Sequence, residues 1–333
     1  MPLGMTALSR SLSIMSDDRL RAERRLDLGL ALAGDGDHAA AVEALQAACD
    51  LAPGWVEAHF ALAENLEKLP GHAAQAEAAY RTCLSLEPAD RMGARIRLTL
   101  LGAAPTPDRL PAAYVEALFD QEARRFDSKM KDKLDYRGPE AIAQAVHKIL
   151  PDLAHPARVL DLGCGTGLIA PSLRLAAGRL DGLDLSSGML VQAVATGLYD
   201  SVRQGDLLKD AWLIDEQPYD LIAAGDVLNY IGDLAPVFQS AAAALSPGGF
   251  FVFTVEAGED TQIELGEGHR YRHGDTRLRP WIAAALLDLV SLERRVLRQE
   301  KRQPVYGLIC ITRKPPLPVD MGLPVPHFDQ KTV

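Results

Sequence analysis

VLDLGCGTGL, residues 159–168, decides the fold: a short apolar run with strand character ends directly in three glycines at alternate positions. Gly163, Gly165 and Gly167 carry no Cβ, so the chain can turn sharply there and let a ligand lie against bare backbone. The spacing is G-x-G-x-G, not the G-x-G-x-x-G of a dinucleotide site, because position 168 is leucine, and an acid, Asp161, leads into it. A pyrophosphate sits badly beside that carboxylate. A ligand with an ammonium group and a sulfonium charge suits it, and S-adenosylmethionine carries both.

Outward from this turn, apolar runs at 180–185, 219–224 and 250–255 alternate with helical stretches. That alternation predicts a parallel sheet covered on both faces, with ligands bound beyond the carboxyl ends of its strands. Residues 18–102 have another texture, rich in Ala, Leu and Glu at helical spacing. AVEALQAACDLAP (41–53) matches AEAAYRTCLSLEP (76–88) at an offset of 35: Ala41 with Ala76, Leu45 with Tyr80, Ala48 with Cys83, Pro53 with Pro88. This resembles tetratricopeptide repeats, whose period is about 34 residues, and implies two repeats plus a capping helix near 91–101. An alanine-rich bundle with accidental similarity is the alternative. Two repeats are fewer than a free-standing solenoid needs, so they are expected to lean on the neighbouring domain. The expected division is a flexible start (1–17), the repeats (18–102), a Pro- and Ala-rich linker (103–113), the sheet domain (114–313) and a proline-rich tail (314–333).

Composition bounds the function. The chain has 333 residues, 48% hydrophobic and 24% charged, enough for two cores of ordinary size. A net charge of −10 argues against a nucleic-acid backbone as partner. No apolar stretch is long enough to span a membrane, so a cytoplasmic protein without a membrane partner is the default expectation. Cys49, Cys83, Cys164 and Cys310 lie far apart with no CxxC pair, which suggests neither a metal site nor a disulfide framework.

VLDLGCGTG resembles the first signature of the class I, Rossmann-like S-adenosylmethionine-dependent methyltransferases, and LDGLDLSSGML, QGDLL, YDLIAAGDVLNYIGDL and LSPGGFFVFTVE follow in the expected order. The likeness extends to bacterial methyltransferases with N-terminal tetratricopeptide repeats, through YVEALFDQEARRFDSKM, GDVLNYIGDL and GHRYRH. It implies an α/β fold with a doubly wound, mostly parallel, seven-stranded sheet behind an all-α repeat module, and S-adenosylmethionine as cofactor. Asp184 would then bond the ribose hydroxyls, with Leu185 and Met189 beside it. Asp206 would hold the adenine amino group, with the Leu207 backbone, and Asp226 would stand by the methyl donor. Residues 114–137 would form a lid that brings Tyr136 and Arg137 to the donor, the aromatic face to the sulfonium and the guanidinium to the carboxylate.

The acceptor is harder to read. In GHRYRHG (268–274), an extended chain would turn His269, Tyr271 and His273 to one face as catalytic candidates and Arg270 and Arg272 to the other as contacts for an acidic acceptor. Asn229 and Tyr230 are further acceptor contacts, and Glu256 is a second candidate base. The same stretch also reads as a cover over the donor, or as a solvated loop. A small-molecule acceptor is favoured; a protein recruited by the repeats, which would give them a partner, and an inactive adaptor are the alternatives. One departure stands out: RLRPWIAAALLDLVSLERRVLR lacks the Gly-Phe turn that resemblance implies before the sixth strand, and Pro280 falls at the start of its helix.

Overall fold

The computed structural model describes residues 5–317 apart from 260–262 and 267, and without the side chains of 5–16 and Lys131. The expected proline-rich tail lies outside the described residues from 318 onward, as do residues 1–4 of the expected flexible start.

The N-terminal region is a succession of helices, each packed on the next: α1 (Met5–Gly34), α2 (His38–Leu51), α3 (Val56–Glu67), α4 (Ala73–Leu86) and α5 (Ala94–Leu100). Asp37 starts α2 by accepting the Ala40 N–H at 3.0 Å, a standard N-cap. The positions paired at the 35-residue offset are equivalent in packing: Ala41, Ala76, Leu45, Tyr80, Ala48 and Cys83 are all buried in one core. The Tyr80 hydroxyl donates to Glu67 at 2.9 Å, and Arg97 of α5 holds the same carboxylate, so the last helix is tied to the hairpin before it.

Residues 103–113 have the composition of a linker but are docked along their length. The Leu110 N–H donates to the Tyr230 carbonyl at 3.0 Å, and the Asp108 carbonyl accepts from Gly232 and Asp233 at 2.7 and 2.9 Å. Tyr271 donates its hydroxyl to the Pro107 carbonyl at 2.7 Å, and the Leu110 side chain is buried.

The sheet domain runs α6 (Ala112–Glu122), α7 (Phe126–Ser128), a π-helical turn (Lys129–Lys133), α8 (Gly138–Ile149), β1 (Ala157–Leu162), α9 (Ala170–Arg174), β2 (Ala177–Asp184), α10 (Ser187–Ala195), β3 (Ser201–Gln204), β4 (Tyr219–Ala224), α11 (Ala235–Ala244), β5 (Leu245–Ala257), β6 (Glu264–Leu265), β7 (Tyr271–His273), α12 (Asp275–Ala284), β8 (Asp288–Glu300) and β9 (Gln303–Arg313). Strands β3, β2, β1, β4 and β5 are parallel in that order, and β9 then β8 complete the sheet antiparallel. Those are the seven strands expected. The described sheet has nine, because YRH of the GHRYRH stretch forms β7, which pairs parallel with the end of β5 (Glu256 with Arg272, Ala257 with His273) and carries β6. Helices α8 and α9 cover one face and α11 and α12 the other, each over a core of buried aliphatic and aromatic side chains.

The missing Gly-Phe turn has a clear structural substitute. Helix α12 continues through Pro280 and ends with Leu286 in the left-handed conformation (φ 58°), its side chain 79% exposed. The Leu287 N–H returns to the Ile282 carbonyl at 3.2 Å and its side chain is buried, so a Schellman-type cap is made with leucine where glycine is usual. The strain is about 1–2 kcal/mol, and the turn survives it.

Candidate active site

The glycine turn joins β1 to the segment leading into α9. Gly163 (φ 68°) is needed twice over: the left-handed backbone excludes most side chains, and a Cβ there would stand 2.3 Å from a Val227 methyl carbon. Gly165 (φ 54°) is different, since a Cβ there would meet nothing within 4 Å; its open side faces a cavity of about 330 Å3. The Gly165 N–H points to Asp184 Oδ2 at 2.8 Å, and the Ser186 N–H to Oδ1 at 2.8 Å, so the carboxylate at the end of β2 is fixed by backbone. Burial raises Asp184 to about 6 in spite of those donors.

Asp161 is buried beneath this turn and is not in the cavity wall. Tyr199 donates its hydroxyl to Oδ2 at 2.6 Å, while Oδ1 is buried with no partner. Burial pushes its carboxyl up to about 7, the Tyr199 hydrogen bond opposing.

Of the other donor-site expectations, Leu185, Met189, Asp206, Leu207, Asp226 and Tyr136 line the cavity together with Gly163, Gly165 and Asp184. Gly167 does not; it packs behind the turn against Tyr199 and Thr196. Arg137 does not either. Its side chain is 62% exposed and paired with Asp135 at 2.8 Å, because its backbone caps α8 and donates to Leu297, which directs the guanidinium outward. The segment expected as a lid, 114–137, forms α6 and α7, which line the cavity. Asp120 of α6 accepts the Ser186 hydroxyl at 2.5 Å and the Gly188 N–H at 2.8 Å, and Asp127 accepts the Thr166 hydroxyl at 2.5 Å. These two helices are thus pinned to the loops that leave β2 and β1. Phe119 closes the roof, edge-on to Phe126 and Tyr230 at 6.0 and 5.3 Å.

The far end of the cavity is made by charge. Asp226 (φ 60°) is held by the Asn229 amide and faces Arg298 at 3.4 Å. Arg298, on β8 and 1% exposed, also binds Glu256 and reaches Glu300 at 2.7 Å. Arg270 lines the cavity and pairs with Glu300 at 2.6 Å, with Glu256 at 3.7 Å and with the Tyr230 hydroxyl at 3.4 Å. Tyr230 also lines the cavity.

The alternation read in GHRYRHG therefore places the residues otherwise than expected. Arg270 faces the cavity, whereas Arg272 is half-exposed beside Glu256. His269 turns away and shares a 2.7 Å hydrogen bond with Tyr114 of the lid. Tyr271 is buried with its hydroxyl committed to Pro107, and His273 is buried against the Gly232 carbonyl at 3.2 Å, held at about 4 by burial. Pairing of β7 with β5 is the cause, since it turns those two side chains into the domain rather than into the cavity. Asn229 is also spent on structure: its amide donates to Asp226 and its carbonyl accepts the Glu256 N–H at 2.7 Å. Among the described residues no cluster of His, Cys, Asp and Glu fits a metal ion.

Sequence reading missed Arg298, Glu300, Arg109 and Tyr199. Arg298 gives no local signal, because it lies in a charged strand that reads as a solvated surface.

Residues 134–292 match the family model described as a methyltransferase domain. The human methyltransferase-like protein 27 is 43% identical over 83 residues, 24% of this chain and 33% of that protein. A ubiquinone biosynthesis O-methyltransferase of Hydrogenovibrio crunogenus is 31% identical over 99 residues, 29% of this chain and 41% of that one. The chain thus spans about a third to two fifths of the length of these curated relatives. The crystal structure of Burkholderia thailandensis 1,6-didemethyltoxoflavin-N1-methyltransferase, with bound 1,6-didemethyltoxoflavin and S-adenosylhomocysteine, superposes with a TM-score of 0.50 at 18% identity, over 64% of this chain and 93% of that one. Residues 134–292 thus match a methyltransferase domain, and the fold is the one that the superposed methyltransferase has.

Proposed function

We propose that this chain transfers the methyl group of S-adenosylmethionine to a small-molecule acceptor. One observation carries the reading: a single cavity runs from the glycine turn and Asp184 to Asp226 and Arg270, under a lid hydrogen-bonded to the donor-side loops. The chain's own residues fit such a donor. Asp184 keeps lone pairs for two ribose hydroxyls, Gly165 leaves a cradle where a side chain would stand, and Asp161 has an unpartnered buried oxygen beneath it, favourable to a cation. Asp206 and the Leu207 backbone suit the adenine edge. The relatives agree in kind, one named for O-methylation and one for N-methylation of a small compound.

The donor supplies an activated methyl group, so the protein's task is alignment in a dry space. Phe119, Tyr136 and Tyr230 would press the acceptor against the methyl and exclude water. With His269 and His273 turned away, Asp226 is the acid in the wall beside the acceptor, and it takes the proton-accepting role first given to the histidines. Arg270 is already paired with Glu300, which weakens the case for an acidic acceptor. The helical region is read as two tetratricopeptide-like repeats, on the equal packing of residues 35 apart, and its exposed surface as a place for a protein partner. We place the enzyme in the cytoplasm; among the described residues no helix is long and apolar enough to cross a membrane.

Labelled donor, purified protein and a cell extract test the reading. Label is expected in the small-molecule fraction. Label in protein would replace it with a protein methyltransferase, and tight binding of S-adenosylhomocysteine without any transfer would replace it with an inactive adaptor.

A further inference from the structure

Arg109 belongs by sequence to the segment between the helical region and the sheet domain, yet it lines the cavity. It forks onto Asp206, Nη1 to Oδ1 at 3.0 Å and Nη2 to Oδ2 at 2.8 Å. The Leu208 N–H reaches Oδ1 at 3.0 Å, and Lys209 stands 3.9 Å from Oδ2. A planar fork of this kind fixes a carboxylate in rotation as well as position, which a single donor does not. Arg109 is itself fixed from both sides: a backbone bridge joins it to Ile231, Leu110 bonds Tyr230, and Asp108 takes the N–H groups of Gly232 and Asp233. Behind it, Arg81 of α4 donates to the Ala103 carbonyl at 3.1 Å, and Ala103 donates to Leu98 of α5 at 2.8 Å. The segment is thus tied at one end to the last helices of the N-terminal region and at the other to a carboxylate in the cavity wall.

We propose that Arg109 is a positioning residue for donor recognition: it orients Asp206 toward the exocyclic amino group of adenine, so that the docked interdomain segment sets the base selectivity of the site. This rests on the reading of the cavity as a donor site. Nothing in the domain's own motifs provides the fork; it comes from outside residues 134–292. Asp206 alone, anchored by one backbone N–H, would be free to turn from the base.

The experiment compares S-adenosylhomocysteine with S-inosylhomocysteine, in which a ring carbonyl replaces the exocyclic amino group, by calorimetry on the full chain and on Arg109→Ala and Arg109→Lys. The unmodified protein is expected to prefer the adenosyl compound by about tenfold or more, the worth of a charge-assisted hydrogen bond. In Arg109→Ala that preference falls to about twofold or less, and Arg109→Lys, with charge but no fork, lies between. Asp206→Asn with Arg109→Ala is no worse than Asp206→Asn alone. Hydrogen exchange adds a second readout: the adenosyl compound should protect residues 107–111 in the unmodified protein and not in Arg109→Ala. A merely structural role for Arg109 would weaken both compounds equally and leave their ratio intact, and that result, or unchanged binding in Arg109→Ala, overturns the proposal. If Arg109→Ala does not fold, Arg109→Lys decides on the same ratio. Failure of the unmodified protein to bind either compound would instead strike the donor reading itself, and the positioning role with it.

Discussion

The two ends of the cavity are built by different means. At the donor end, Asp184 is held by two backbone N–H groups from Gly165 and Ser186, both close to it along the loops that leave β1 and β2. At the far end, Asp226 is held by side chains: Asn229 nearby and Arg298 from a strand 72 residues later, which also gathers Glu256 and Glu300. One end is made by short-range turn geometry and the other by long-range ion pairing. The first kind loses one acceptor to a neutral isostere but strands no charge; the second leaves a charge without its cation when one partner goes.

Arg298→Met breaks that contrast most forcefully. Removing the central cation leaves Asp226 with no cation partner and the buried Glu256 with only the longer contacts to Arg270 and Arg272, so about 3 kcal/mol of stability should be lost. Denaturant unfolding of the ligand-free protein measures it. Affinity for S-adenosylhomocysteine, corrected for the folded fraction, should change by less than about threefold if the two ends are as separate as their contacts suggest. A small stability loss would mean that the cluster is hydrated rather than dry.

Asp184→Asn should show the opposite signature. An uncharged isostere relieves the burial of a carboxylate already raised to about 6 but can accept only one of the two backbone N–H groups, so stability should change by no more than about 1–2 kcal/mol, while donor affinity falls about 10- to 100-fold with the loss of charge-assisted bonds to the ribose. Melting curves with and without S-adenosylhomocysteine separate the effects. A variant that binds normally would remove Asp184 from the donor site.

The same contrast explains what the sequence made legible. Each strand is encoded in its own short run, and the glycine turn and Asp184 lie close together in sequence, where composition and spacing carry the physics. The repeat offset works likewise, since packed positions recur with the helical hairpin. The far end offers no such local code. His269, Tyr271 and His273 alternate as a strand should, but which face meets the cavity depended on β7 pairing with β5, a contact no periodicity reveals. Arg137 was misplaced because helix capping, not ligand binding, set its backbone. Arg109 and Arg298 were invisible, since each acts on a carboxylate far away in sequence: Asp206 lies 97 residues from one and Asp226 lies 72 from the other.

A pH titration sharpens the donor half. Asp161 and Asp184 stand at about 7 and about 6, both raised by burial, and the donor's sulfonium, ammonium and ribose hydroxyls all favour the ionised carboxylates. Affinity for S-adenosylhomocysteine, which keeps the ammonium and the ribose, should therefore fall as pH drops from 8 to 5.5, by about fivefold or more. Without ligand the sign reverses for these two groups. The folded state binds protons that the unfolded chain does not take up until near pH 4, so their contribution to stability falls as pH rises through 4 to 7. His273, held at about 4, opposes them: its contribution is present above about 6.5 and fades as the pH falls. Calorimetry across this range checks the ligand effect, and pH-independent affinity would argue that Asp184 does not face the donor and that Asp161, beneath the turn, is not coupled to it.

The smallest effect is expected where the sequence pointed most directly at catalysis. His269 shares a hydrogen bond with Tyr114 and stands outside the cavity wall, and burial lowers its pKa, so it is neutral and committed to the lid at physiological pH. His269→Gln keeps a polar group of similar reach. It should alter kcat by less than about threefold, with any change appearing as a modest rise in KM for the acceptor as α6 loosens, because a group acting through the lid shifts closure rather than proton transfer. A general base lost from the cavity would instead lower kcat about 100-fold or more and flatten the acidic limb of the pH profile. A result of that size for His269, with Asp226→Asn nearly silent, would return proton transfer to the GHRYRH stretch and require the lid to swing that histidine inward before methyl transfer.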